Sequence, residues 1–255
     1  MQLIIDTDRQ SLTCSNGDEP QEFPLYSKEA FELISRQWVR VGWNEKYAYT
    51  FSWMGRPVVQ LPEDLIRAQE VIHRIQPDVI IETGIAHGGS LIFYASLCKA
   101  MNRGRVVGVD IEIRPHNRTA IEEHPLAERI TLVEGNAIEA DVVSRVRKLV
   151  QPAEKVLVLL DSCHTKKHVR AELEAYSPLV TPGSYIVATD GLMADLHDTP
   201  RGSANWSEDN PLEAAREFAE AHPQFEIEQP IWPFNESQLS ENITHWPSAW
   251  LKRTA

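Results

Sequence analysis

The chain has 255 residues, 42% of them hydrophobic and 24% charged, which suits one large α/β domain with additions or two small ones. Its formal net charge of −12 argues against broad binding to nucleic acid or an anionic membrane, since both need a basic surface. Cys14, Cys98 and Cys163 form no C-x-x-C unit, so neither a disulfide framework nor a thiolate zinc site is indicated. Residues 1–6 lack the features of a signal peptide and no apolar run is long enough to span a bilayer, so a cytoplasmic location is the expectation.

The first fifty residues match no repeating α/β pattern. Residues 27–41 suit a helix with Phe31, Leu33, Ile34 and Trp38 on its apolar face. Tyr47, Tyr49, Phe51 and Trp53 alternate as on one face of a strand or extended arm. Packing against the main domain is the plain role for this aromatic segment; a pocket wall or a contact between copies is the functional one. From Pro62 the pattern becomes regular. Helices are expected over 62–76, 90–100, 117–124, 142–149, 167–176 and 211–221. Between them lie apolar strands over 79–83, 105–110, 130–134, 156–160 and 185–188. Such alternation implies a parallel sheet with right-handed crossovers. Residues 225–228 and 249–253 read as two further strands closing one edge as an antiparallel pair.

The stretch Val79-Ile80-Ile81-Glu82-Thr83-Gly84-Ile85-Ala86-His87-Gly88-Gly89-Ser90 is a buried strand running into a glycine-rich turn that opens a helix, with Ser90 a candidate N-cap. Free backbone N–H groups beside a helix N-terminus suit a nucleotide-like ligand. The dinucleotide fingerprint G-x-G-x-x-G is absent. Glu82 would repel a pyrophosphate but welcome an ammonium group, and Asp110, ending the next strand, suits a ribose hydroxyl. S-adenosylmethionine (SAM) fits these features better than NAD.

Ligands of open α/β sheets bind at the carboxyl ends of the strands. Here those ends read Glu82, Asp110, Glu134-Gly135-Asn136, Asp161 and Asp190. Like charges converging in one crevice repel, and a cation would relieve the strain. Asp161 and Asp190 are therefore candidate ligands of a hard ion such as Mg²⁺; helix capping is the bland alternative. His164, three residues beyond Asp161, is placed to remove a proton, with His168 its rival.

With these residues in view, the chain resembles the cephalosporin hydroxylase/rhamnosyl O-methyltransferase family from about Trp53 to Arg253. The motifs that carry the likeness are Glu82 to Ser90, Val109-Asp110-Ile111-Glu112-Ile113-Arg114, Asp161-Ser162-Cys163-His164-Thr165 and Asp209-Asn210-Pro211. The resemblance implies a Rossmann-like class I methyltransferase: a mostly parallel seven-stranded sheet with an antiparallel C-terminal strand and helices on both faces. It divides the chain into an N-terminal arm, 1–60, and a SAM-dependent methyltransferase domain, 61–255. It implies SAM as donor, Mg²⁺ or a similar divalent cation, and a sugar or glycoside acceptor. Glu82, Gly84 and Ser90 would then line the methionine end of SAM, Asp110 hold the ribose and Asn136 lie near the adenine, with His87, Ile111 and Asp161 also cofactor-binding. Asp161 and Asp190 would bind the metal. Some members, and the related catechol O-methyltransferases, carry a second metal-binding side chain beside the residue matching Asp190, where this chain has Thr189 and Gly191; Asp209 is the candidate third ligand and Asp195 the alternative.

The expected reaction is methyl transfer to a sugar hydroxyl, with His164 as base and Asp161 at the reacting centre. A metal-dependent oxygenase is the second reading, although none of the nine histidines begins an H-x-D or H-x-E pair. A non-catalytic SAM-binding module is the third. A homo-oligomer through the aromatic arm is also expected, with no nucleic-acid partner and no membrane span.

Overall fold

The computed structural model describes residues 1–17 and 19–255. Three strands, β1 (Gln2–Asp6), β2 (Ser11–Ser15) and β3 (Gln21–Pro24), form an antiparallel meander ahead of helix α1 (Lys28–Asn44). A short hairpin follows, β4 (Phe51–Trp53) with β5 (Arg56–Val58), then α2 (Pro62–Ile75). The alternating unit comprises β6 (Val79–Thr83), α3 (Gly89–Ala100), β7 (Arg105–Asp110), α4 (Pro115–Glu122), β8 (Ile130–Glu134), α5 (Ala140–Lys148), β9 (Val156–Leu160), α6 (Lys166–Tyr176) and β10 (Tyr185–Ala188). Helix α7 (Pro211–Ala221), β11 (Phe225–Ile227) and β12 (Trp250–Arg253) complete the chain.

The seven-stranded sheet has the order β11-β12-β10-β9-β6-β7-β8, and β12 alone runs antiparallel to its neighbours. Strands β6 and β9 lose all solvent contact because helices cover both sheet faces, which is why their sequences are continuous apolar runs interrupted only near the carboxyl ends. Alternate residues divide between two cores. Ile80, Val106, Leu157 and Val187 pack under α2 and α3, while Ile81, Val107, Val158 and Ile186 pack under α5, α6 and α7. Chain direction out of the sheet reverses between β6 and β9, where a topological switch point opens a crevice at their carboxyl ends.

Sequence expectations for the sheet and its helices are met within a few residues. The N-terminal region differs. The meander went unseen because its strands are mostly half-exposed and carry no apolar alternation. Helix α1 starts where expected, with Ser27 Oγ accepting from Ala30 N, but Phe31 and Trp38 are 43% and 39% exposed. Ala30 and Val39 are the residues it buries, Val39 against Leu192 and Leu196. Nor do residues 47–53 form one strand. Lys46 takes a left-handed conformation (φ 57°) after α1, and residues 47–50 coil into a 3₁₀ turn closed by Thr50 Oγ1 donating to Tyr47 O, leaving only 51–53 extended. The N-cap of α3 is Gly88 (φ 80°) rather than Ser90, which lies inside the helix and spends its hydroxyl elsewhere. Among the described residues, no helix is long and apolar enough to cross a membrane.

Two long-range contacts fix the rim of the crevice. A Cβ on Gly89 would meet Pro57 O at 2.0 Å, so the absence of a side chain lets the β4–β5 hairpin seat on α3. Gly89→Ala should cost about 2 kcal/mol, read as a fall of about 4–8 °C in Tm by circular dichroism. On the opposite side, buried Asp64 of α2 accepts from Thr244 Oγ1 and from His245 N (2.9 Å), tethering the segment before β12. Burial raises its carboxyl from the usual 3.8 to about 8, against the lowering effect of those hydrogen bonds. The folded chain therefore keeps a proton that the unfolded chain releases. The associated stability is present below about pH 4 and is lost as pH rises towards 8, by at most about 1.4 kcal/mol per pH unit. Urea unfolding at pH 5, 7 and 8.5 should show that decline in the native chain and a flatter profile in Asp64→Asn.

Candidate active site

Three strand ends and one turn build the crevice. The turn after β6 leaves Gly84 at φ 82°, with Gly84 N donating to Val109 O (2.7 Å). A Cβ here would fall 2.0 Å from Asp161 O, so the glycine admits the backbone of the β9 loop rather than open space. Asp161 N in turn donates to Thr83 O (2.8 Å). The two loops are thus joined across the switch point. Asp110 closes the turn from β7, its Oδ2 accepting from Ile85 N (2.9 Å) and its Oδ1 from Glu112 N (3.2 Å). Each oxygen keeps capacity for a further donor.

Glu82 is fully buried at the end of β6. Its Oε2 accepts from Ser90 Oγ (2.6 Å), while its Oε1 and the nearby buried Tyr94 hydroxyl are both left without a partner. Burial, reinforced by the charges of Asp161 and Asp110, pushes this carboxyl well above its ordinary range, and the Ser90 and Tyr94 hydroxyls oppose the shift. Glu82 does not itself line the cavity along the turn and stands behind Ser90, which does; an orphaned buried acceptor there can take a donor from Tyr94 or from a ligand. His87 is half-buried and its carbonyl accepts from Arg56 Nε and Nη2 (3.0 and 2.6 Å), which holds the hairpin against the turn. Ile111 is 71% exposed beyond β7. Asn136 is half-buried after β8, its Oδ1 accepting from Ile138 N (3.3 Å).

At the other side of the crevice, Asp161, His164 and Asp190 converge, one potential ligand atom from each lying within 4.8 Å of the others. His164 Nε2 stands 3.5 Å from Asp190 Oδ2 and 4.0 Å from Asp161 Oδ1. Asp161 is oriented by Thr189 Oγ1, 2.7 Å from Oδ1, and by Gln60 Nε2, which donates to Oδ2 at 3.2 Å. Burial raises the carboxyls of both acids. Asp190, held at φ 59°, is pushed up to about 7 by burial and by the charge of Asp161, with His164 pulling the other way. Two hard oxygen donors around one point, their carboxyls raised by burial and the charge of Asp161 acting on Asp190, fit a divalent cation, and the imidazole nitrogen stands beside them.

The expected third ligand is elsewhere. Asp209 Oδ1 accepts from Lys166 N (2.7 Å) at the start of α6, some distance along the surface, while Asn210 caps α7 by accepting from Glu213 N (2.9 Å). Asp195 faces α1, where its carbonyl accepts from Arg40. Neither joins the cluster, whose third member is His164. His168 is also diverted. Its Nε2 lies 3.3 Å from Ser162 Oγ and 3.6 Å from Glu172 Oε1, away from the two aspartates.

Two cavities meet at this cluster. One, of about 160 Å³, runs along the turn past Gly84, His87 and Ser90 to Asp161. The second, of about 310 Å³, lies outside it between Trp43, Tyr49, Trp206 and His245. Tyr49, Val59, His164 and Asp190 line both. Trp43 meets the buried His245 ring edge-on at 5.0 Å. Tyr49 and Trp43 do line a cavity, the pocket-wall role that the aromatic segment allowed beside plain packing, whereas sequence reading missed Gln60 as a site residue. Gln60, 4% exposed, did leave a trace: it is the one polar residue in Val58-Val59-Gln60-Leu61.

Comparison with known proteins identifies the family. The family model for rhamnosyl O-methyltransferase/CmcI matches residues 45–254. The chain is 27% identical over 217 residues to a rhamnosyl O-methyltransferase of Mycobacterium leprae, covering 84% of this chain and 87% of that protein. It is 27% identical over 144 residues to one of Mycobacterium tuberculosis (strain ATCC 25618 / H37Rv), covering 54% and 56%. Its fold is similar to an apo structure of CmcI (TM-score 0.55, 19% identity, 81% of this chain and 77% of that one). A CmcI structure with Mg and SAM aligns similarly (TM-score 0.54, 18% identity, 81% and 78%). The chain belongs to the rhamnosyl O-methyltransferase/CmcI family of SAM-dependent O-methyltransferases.

Proposed function

We propose that this chain methylates a hydroxyl of a sugar or glycoside, with SAM as donor and Mg²⁺ or a similar divalent cation beside the acceptor. The observation that carries the reading is the cluster Asp161–His164–Asp190 standing where the turn-lined cavity meets the aromatic one. Relatives named rhamnosyl O-methyltransferases support the sugar acceptor, and the CmcI structure described with Mg and SAM supports the cofactor pair. One cluster of a histidine and two carboxylates, among the described residues, favours methyl transfer over an oxygenase needing two histidines.

When bound, SAM supplies an electrophilic methyl group and the cation a Lewis acid that lowers the pKa of a nearby hydroxyl. Glu82 would accept from the methionine ammonium through its unpartnered Oε1, with Gly84, His87 and Ser90 beside it. Asp110 and Ile111 would hold the ribose and Asn136 the adenine side. Asp161 and Asp190 would hold the cation, Gln60 and Thr189 keeping Asp161 in its rotamer. His164 Nε2 takes the acceptor proton, and Asp190 at 3.5 Å steadies the resulting imidazolium. Tyr49, lining both cavities, positions the acceptor. A homo-oligomer through the N-terminal segment and a cytoplasmic location belong to the same proposal; exposed Ile4, Ile5 and Val41 support the former, which sedimentation would test.

Transfer of label from radioactive SAM to a panel of rhamnosides and nucleotide deoxysugars is the direct assay. His164→Ala should lower kcat by about 10²–10⁴ while SAM affinity by calorimetry stays within a few-fold. Asp161→Asn, or chelation of the native enzyme, should abolish turnover with SAM still bound. Normal turnover of Asp161→Asn with or without chelator would remove the cation from the mechanism. Tight SAM binding with no transfer would instead identify a binding module.

A further inference from the structure

The acceptor-side cavity has a charge pattern that a neutral glycoside does not use. It shares acidic Asp190 with the turn-lined cavity, and its own lining adds the exposed Lys46 and Arg201 and the rings of Trp43, Tyr49 and Trp206. Nearby cations are neutralised, Arg36 by Glu241 (3.1 Å) and Arg40 by Asp198 (2.6 Å). Among the described residues, Lys46 and Arg201 have no carboxylate within the 4.0 Å of an ion pair. In a chain with 37 acidic and 25 basic residues, two unpaired cations lining one cavity are not a product of excess positive charge.

Backbone conformation points the same way. Lys46 follows the C-cap of α1 in the left-handed region (φ 57°), a position that glycine or asparagine normally fills at lower cost. Its ammonium lies 5.2 Å from the centroid of the Tyr49 ring, so the strained residue keeps its charge over the wall of the cavity. At about 310 Å³ the space matches the lower end of small-ligand pockets, about 300–1,000 Å³.

We infer that the acceptor is a phosphate-bearing sugar: its ring lies between Trp43, Tyr49 and Trp206, its reacting hydroxyl faces His164, and its phosphate pairs with Lys46 and Arg201. The inference rests on the sugar O-methyltransferase reading and narrows it. Arg201 is exposed, so a sugar 1-phosphate and a nucleoside-diphosphate sugar share the required chemistry, the nucleoside of the latter extending outward.

Calorimetry in the presence of Mg²⁺ and S-adenosylhomocysteine tests it with rhamnose 1-phosphate, thymidine-diphosphate rhamnose and the neutral methyl rhamnoside. At least one phosphorylated sugar should bind about 10-fold or more tightly than the neutral one, and the difference should shrink at 0.5 M salt, where the Debye length is roughly 4 Å. Binding of rhamnose 1-phosphate alone would identify a monophosphate site, and stronger binding of the nucleotide sugar a diphosphate one. Lys46→Gly with Arg201→Gln should erase the preference without weakening S-adenosylhomocysteine. Lys46→Gly relieves the left-handed strain, so unfolding does not account for such a loss. A preference below twofold, a preference unchanged in the double variant, or no binding of any of the three sugars overturns the inference. Failure of SAM and S-adenosylhomocysteine to bind overturns the methyltransferase reading itself, a separate result read in the same instrument.

Discussion

Close approach of two backbones at the switch point is the constraint on which the site depends. Gly84 has no side chain, and the carbonyl of Asp161 occupies the space where one would stand. The hydrogen bond from Asp161 N to Thr83 O extends the β6–β9 ladder one step beyond the strands. The turn lining the inner cavity and the loop carrying Asp161 are therefore joined across the switch point. On the proposed function, reacting partners held on the two sides would share a fixed geometry, which is where much of the entropic advantage of such a transfer arises.

Electrostatics follow from that architecture. Parallel strands ending together bring Glu82, Asp161 and Asp190 into a partly dry crevice, where burial and mutual repulsion favour the protonated acids. Isolated, the arrangement is costly. It becomes favourable only when positive charge enters, from an ammonium beside Glu82 and from a cation or imidazolium between the aspartates. The site is thus set for binding at the expense of the empty state, as functional sites often are.

The sheet was legible because its information is local. Val79 to Ile81 and Val156 to Leu160 are apolar runs that only a doubly covered strand tolerates, and an acid at each end marks the ligand edge. What stayed hidden depends on contacts between distant segments. Asp209 sits in a motif that suggests a ligand, yet its carboxylate is engaged by a backbone amide 43 residues away. Ser90 looks like a cap, but a left-handed glycine two residues earlier starts the helix and frees the hydroxyl for Glu82. Gln60 reaches the site because the β4–β5 hairpin folds back over α3, a return no periodicity announces. His164 was visible as a base, though its place between the two aspartates, where a third acid was expected, was not.

The edge-on pair of Trp43 and His245 has a consequence for how acceptor choice can diversify. Trp43 belongs to α1 and His245 to the segment that Asp64 ties to α2, so two walls of the outer cavity are mechanically linked across the chain. The stretch carrying Arg201 and Trp206 is fastened to the same helix, through the Arg40–Asp198 ion pair and through Trp206, which packs on the Val39, Leu192 and Leu196 cluster that Trp43 also covers. Exchange of residues 197–208 must therefore keep a partner for Arg40 and a filler for that cluster, and residues 43 and 245 must change together. Variation around the outer cavity is covarying on both sides, with α1 as its hinge and the Gly84–Asp161 junction untouched.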